Sequence, residues 1–219
     1  MCFTIQLKTN VKKAETRFKA KVDNPLQFLE SDTISGFAHL KTPIIRDKSP
    51  EIISTNYSWG LIPTWAKDES VRKNTLNARI ETVGEKPSFK NSLNNRCLIL
   101  ATAFYEWHWN DPKGKSKDKY QIYSQEEALF AFAGLYSHWV QPQTGETIFT
   151  YTMLTTEANE LMQYIHNTKQ RMPVVLNRKD ENAWLDASNA IQDFAFPYQA
   201  NLVGFPIPKP HDNRPETLF

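Results

Sequence analysis

The sequence predicts an α+β fold with a largely antiparallel β core flanked by helices. Strand-like runs rich in β-branched and aromatic residues outnumber helical ones along the chain. The helical patterns do not alternate regularly with those runs, which argues against a doubly wound parallel sheet. Across 219 residues there is no internal repeat and no linker-like shift in composition, so a single domain over 1–219 is expected. A chain of that length can bury a sizeable core.

Residues 2–7 read as an opening strand, and roughly 9–20 as a basic helix with Val11, Ala14 and Phe18 on one face. Further strand-like runs fall near 36–40, 51–59, 96–101, 103–109, 119–124, 129–134, 147–154 and 173–176. Helical stretches are expected near 77–83, 87–93, 157–165 and 180–186. Asp180 stands ahead of Ala183, Trp184 and Leu185 as an N-terminal helix signal. The segment NDPKGKSKDK, between FYEWHW and YQIYS, reads as a solvated hairpin tip.

Composition removes several function classes. The count of only seven glycines argues against Gly-rich phosphate loops, and Gly114-Lys115-Ser116 fails as a P-loop because Trp109 occupies the position of the required earlier glycine. Five histidines contain no HExxH and two cysteines no CxxC, so no metal and no cofactor are expected. No apolar run approaches the roughly 18 residues of a spanning helix, and no membrane partner is expected. The opening MCFTIQLKTNVKKAE lacks the apolar region of an export signal, which points to a cytoplasmic protein with free thiols. With 26 basic and 24 acidic residues, the net charge of +2 permits an anionic partner without requiring one.

The two cysteines read differently. Cys97, inside RCLILA, has the surroundings of a small buried hydrophobe. Cys2 is open to two readings. It is an ordinary apolar residue opening a strand, or loss of Met1 turns it into a 1,2-aminothiol. Reference acidities of about 7.7–8.0 for an α-amine and 8.5 for a thiol leave a useful fraction of each unprotonated near neutral pH. Such a group traps aldehydes: the amine forms an imine and the thiolate closes on it as a thiazolidine.

Four stretches stand beside Cys2. In WGLIPTW, Trp59 and Trp65 flank a Gly and a Pro, and each is open to a packing role or a ligand platform. In NARIET, Asn77 is open to a helix-cap or a functional role, with Arg79 and Glu81 as exposed charges or ligand-binding groups. In RCLILATAFYEW, Glu106 lies on a strand whose faces alternate Phe104, Glu106, His108 against Tyr105, Trp107, Trp109. A carboxyl partly buried there is expected to have a raised pKa. In IHNTKQRMP, His166 either caps the preceding helix or acts on a substrate.

In combination these elements resemble the SOS-response-associated peptidase (SRAP) family, shield proteins that crosslink abasic sites in single-stranded DNA. The resemblance runs from Met1-Cys2 through WGLIPTW, NARIET, RCLI, FYEW and IHNTKQRMPV to about residue 207. It implies a half-open, barrel-like β core. It implies that Cys2, after loss of Met1, forms a thiazolidine with the ring-opened abasic sugar. Glu106 would orient the amine and shuttle protons, and His166 would open the sugar ring by general acid catalysis. Asn77 would hold the Cys2 end of the chain or contact DNA. Arg79 would bind a phosphate beside the lesion, and Trp65 would support an unstacked nucleotide. Cys2 and Glu106 would also serve autoproteolytic removal of Met1. Lysines of the 8–21 and 67–90 segments are candidates for further phosphate contacts, and a monomer is expected.

Two places depart from the family pattern: MCFT stands for MCGR, and Phe37-Ala38-His39-Leu40 replaces an Asn-Ala-Pro element. Both bear on DNA contacts more than on crosslinking. Two other functions stay open at this level. One is an N-terminal-nucleophile amidohydrolase using Cys2; the other is a non-covalent single-stranded DNA binding module.

Overall fold

The computed structural model describes residues 2–209. The chain opens with strand β1 (Thr4–Leu7), helix α1 (Val11–Phe18) and the short strand β2 (Lys21–Val22). Strands β3 (Ser31–Ser35), β4 (Lys41–Arg46), β5 (Ser49–Trp59) and β6 (Asn77–Arg79) follow. The middle of the chain forms β7 (Arg96–Ala101), β8 (Ala103–Trp109), β9 (Lys117–Ser124), β10 (Phe130–Val140) and β11 (Thr147–Glu157). It ends with α2 (Glu160–Ile165), β12 (Arg171–Pro173), β13 (Val175–Leu176), α3 (Glu181–Leu185) and β14 (Leu202–Pro206).

Two sheets organise these strands. The first runs β14-β9-β8-β1-β3 and is antiparallel throughout. The second carries the consecutive order β11-β10-β7-β4-β5. A short parallel contact, Thr150↔Ser58 and Tyr151↔Trp59, joins β11 back to β5. Those five strands therefore curl into a ring whose seam is that contact, which is the barrel-like α+β core expected from the sequence.

β7 explains why the ring is a core. Its neighbours β4 and β10 pair with it on both edges, and all six of its residues are buried, so RCLILA is a continuous apolar run instead of an alternating one. Cys97 is fully buried within it. On β10, Gly134 is required by close approach: a Cβ there would lie 2.9 Å from the Thr152 carbonyl oxygen and 3.0 Å from the Cys97 sulfur. Helix α3 is fastened to this wall by Trp184, whose indole N–H donates to the Cys97 carbonyl at 3.0 Å. The buried Arg96 donates to the carbonyls of Trp184, Asp186 and Asn189, satisfying acceptors at the end of α3. At the other side, Asn10 caps α1 by accepting from the Lys13 amide, and Arg17 ties α1 to Glu181 at 2.7 Å.

Several expected elements differ. Residues 36–40 form a tight turn of 3₁₀ helix at Gly36–Ala38 followed by His39 in the left-handed region (φ 50°), not a strand. Asn77–Arg79 extend as β6 in parallel pairing with Met153–Thr155, and a helical turn begins only at Ile80. Pairing with an open strand edge outweighs weak local helix preference there. Of 87–93, only Lys90–Ser92 is helical, and as a 3₁₀ turn. β4 was not expected because Pro43 interrupts it. The register shift between Thr42 and Ile44 accommodates that proline within the ladder. β3 and β14 are short and mixed in polarity, so their sequence pattern is weak. No helix among the described residues is long and apolar enough to cross a membrane.

Candidate active site

The antiparallel register of β1 against β8, Ile5↔Phe104 and Gln6↔Ala103, brings the residues ahead of β1 level with Glu106. Cys2 is fully buried there, and its thiol donates to the Thr4 carbonyl at 3.5 Å. β6 runs alongside β11, and from its first position Asn77 donates its side-chain N–H to the Cys2 carbonyl at 2.8 Å. Asn77 thus pins the backbone of the candidate nucleophile from a strand and caps no helix.

His166 ends α2, with its backbone N–H bonded to the Met162 carbonyl. His166 therefore closes the helix while its ring turns inward. Nδ1 lies 2.8 Å from the Arg171 carbonyl oxygen. A carbonyl only accepts, so Nδ1 carries the hydrogen and Nε2 is left as the basic nitrogen. Nε2 stands 3.8 Å from Oε2 of Glu106.

Burial pushes these groups in opposite directions. It raises the Glu106 carboxyl to about 7 and lowers the His166 imidazole to about 4. The two are therefore not an ion pair at any pH near neutrality: the imidazole is neutral, and the carboxyl is divided between its acid and base forms. Burial, reinforced by the charge on Glu106, also holds the Cys2 thiol well above its ordinary range. The cluster thus contains a protonated thiol, a carboxyl poised to exchange a proton, and a neutral base.

Arg79, two residues beyond Asn77, is exposed at the end of β6. Glu81 is not a free surface charge: Arg171 grips both of its oxygens at 2.8 Å and also donates to the Thr155 carbonyl at 2.7 Å. This bidentate pair joins NARIET to RMP and positions the carbonyl that orients His166. Sequence reasoning missed Arg171. The arginine itself was visible in RMP, but a role exerted through its backbone oxygen leaves no side-chain signature.

Trp59 is wholly buried, donating to the Leu76 carbonyl at 2.7 Å, and so is a packing residue. Trp65 stands outside the Cys2 cluster, 54% exposed, with its indole N–H donated to the Pro87 carbonyl at 3.1 Å. Trp107, next to Glu106, is also exposed. Lys8 lies beyond the far end of β1, about 20 Å from Cys2 at roughly 3.3 Å per residue. Within 8–21, Lys8 pairs with Asp32, Lys21 with Glu15, and Arg17 with Glu127 and Glu181; within 67–90, Arg72 pairs with Glu69.

A barrel-cored α+β fold in which a buried second-position cysteine meets an asparagine, a carboxyl and a neutral imidazole defines a narrow class of proteins. The chain belongs to the SOS response associated peptidase (SRAP) family, whose model matches residues 1–210. It is 43% identical over 170 residues to the abasic site processing protein YoqW of Bacillus subtilis (strain 168), covering 73% of each chain. It is 34% identical over 162 residues to the abasic site processing protein HMCES of Gallus gallus, a match spanning 63% of this chain and 46% of that one. A crystal structure of a protein from Bacteroides thetaiotaomicron superposes with a TM-score of 0.86 at 32% identity, covering 94% of this chain and 92% of that one.

Proposed function

We propose that this protein processes abasic sites in DNA by capturing them covalently through Cys2 in single-stranded DNA. The observation that carries this reading is the meeting of Cys2, Glu106 and His166, all buried, with the half-buried Asn77 in one cluster. The relatives named for abasic site processing support it.

Removal of Met1 by hydrolysis of the Met1–Cys2 bond gives Cys2 a free α-amine. Water adds to the Met1 carbonyl, and Glu106 in its acid form protonates the departing nitrogen. In the sugar, the neutral Nε2 of His166 takes the proton of the C1 hydroxyl as the ring opens to the aldehyde. Delivery of that proton to the ring oxygen follows, so His166 acts as a base before it acts as an acid. The amine adds to the aldehyde, and loss of water gives an imine. An acidity near 7 lets Glu106 accept the amine's proton and return it to the departing hydroxyl. The Cys2 sulfur then closes on the imine carbon, its proton passing to nitrogen, and a thiazolidine results. Asn77 fixes the Cys2 carbonyl so that amine and thiol face the same carbon. Arg79 binds a phosphate beside the lesion, and Trp65 supports an unstacked nucleotide. The protein acts as a cytoplasmic monomer formed by one domain.

A denaturing gel tests this directly. Single-stranded DNA with an abasic site should give a denaturation-resistant adduct with the natural protein and none with Cys2→Ala. Retained DNA binding without an adduct would leave a non-covalent module and sink the proposal. Intact mass measurement should find Met1 absent from the crosslinked species. His166→Ala should slow the adduct by about 10²-fold or more without abolishing it, the usual range for loss of one general acid or base.

A further inference from the structure

The two stretches that depart from the family pattern meet in space. Phe3 follows Cys2, and Phe37 lies in the Gly36–Ala38 turn; their ring centroids are 5.0 Å apart with planes inclined at 38°. The Gly36 N–H donates to the Phe3 carbonyl at 2.8 Å, which ties the turn to the backbone beside Cys2.

The turn is anchored from below as well. A Cβ on Gly36 would approach the buried Trp59 indole at 3.2–3.3 Å, a tight contact that would press on the ring, so the backbone of the turn lies closely against Trp59. His39, in the left-handed region, brings Nδ1 to 2.7 Å from the Trp59 carbonyl oxygen. On this fixed support the Phe37 ring is nevertheless 57% exposed. An aromatic face that is rigidly backed yet open to solvent has the properties of a stacking platform.

The occupant follows from the chemistry of the lesion. A nucleotide that has lost its base leaves its neighbour without a stacking partner on one side. That neighbour presents a bare π-face immediately beside the sugar that Cys2 would capture. We propose that Phe37, backed by Phe3, stacks on the nucleobase flanking the abasic sugar. This rests on the reading of Cys2 as the crosslinking residue. Neither ring carries charge, so the contact adds affinity without adding to the salt dependence, unlike a phosphate contact.

The test uses Cys2→Ala protein and single-stranded DNA holding a tetrahydrofuran abasic analogue, which has no aldehyde and cannot crosslink. A 2-aminopurine sits 5′ or 3′ of the analogue. Fluorescence should be quenched on binding at one of the two flanks. Adding Phe37→Ala should abolish the quenching and weaken binding at least about fivefold, with the slope of affinity against salt unchanged, and Phe37→Trp should restore both. Quenching at neither flank, or full affinity and quenching in Phe37→Ala, overturns the proposal. So does dimerisation of the natural protein that Phe37→Ala abolishes, which would assign the face to a second copy. Failure of the natural protein to form an adduct with a true abasic site bears on Cys2 alone, because the fluorescence assay does not depend on crosslinking.

Discussion

Glu106 and His166 lie side by side with acidities displaced toward each other's usual range, and this has a consequence for stability that each residue alone would not produce. Glu106 titrates near 7 in the folded chain against 4.5 ordinarily. Between those values the native state binds more protons than the unfolded state, so stability falls as pH rises from about 4.5 to 7. His166 titrates near 4 against 6.5, so the native state binds fewer protons and stability falls as pH drops from about 6.5 to 4. From about 4.5 to 6.5 the two slopes oppose each other. The natural protein should therefore have a flat stability profile there, measured by urea unfolding at a series of pH values. Glu106→Gln should expose the loss on acidification and stand about 2–3 kcal/mol above the natural protein at pH 8. His166→Gln should show the reverse slope, declining toward pH 7. Parallel profiles for all three proteins would contradict the opposed displacements.

Between elements, the Glu81–Arg171 pair performs work that neither NARIET nor RMP reveals separately. It clamps the turn after β6 to β12, across the edge of β11, and holds the Arg171 carbonyl against the His166 ring. Burial pushes the Glu81 carboxyl up, but the Arg171 hydrogen bonds outweigh it and hold the group below its usual range. Because the pair is only partly shielded, its coupling is expected to exceed that of a surface ion pair without reaching a fully buried one. A double-mutant cycle of Glu81→Gln and Arg171→Met, read by urea unfolding, should return about 1–3 kcal/mol. Adduct formation should also slow in Glu81→Gln, since loosening β12 frees the imidazole that it orients. A coupling near zero would reduce the pair to a surface contact.

Across the whole molecule, 26 basic and 24 acidic side chains give little long-range attraction for a polyanion. Some cations are already committed to carboxylates within the fold, as Lys8, Lys21 and Arg17 show. Affinity for single-stranded DNA must then come from a few local contacts plus the covalent step. If about three phosphates are neutralised, the slope of log K against log salt should be about −2, shallow for a DNA-binding protein. Arg79→Ala should reduce its magnitude by about 0.7, the share of one phosphate on a single strand. A filter-binding series in Cys2→Ala protein measures both. A slope unchanged in Arg79→Ala would remove Arg79 from the phosphate contacts.

The amino-acid sequence by itself determined the α+β class, most strands of the core, the burial of Cys97, and the raised pKa of Glu106. Each of these is written in local pattern: alternation, an unbroken apolar run, or a carboxyl set among aromatic residues. It did not reveal that Asn77–Arg79 would extend along β11, that Pro43 would sit inside a ladder, or that β5 and β11 would meet to close a ring. Strand pairing joins segments far apart in the chain, and the edge that captures β6 is invisible to any window around it. The same holds for the site. Its residue types were legible, but the neutrality of His166 follows from burial, and its basic nitrogen from one backbone carbonyl. Only the tertiary structure decided that Phe3 and Phe37, separate departures along the chain, share one face beside Cys2, because contact across β1 and the turn after β3 is set by packing on Trp59.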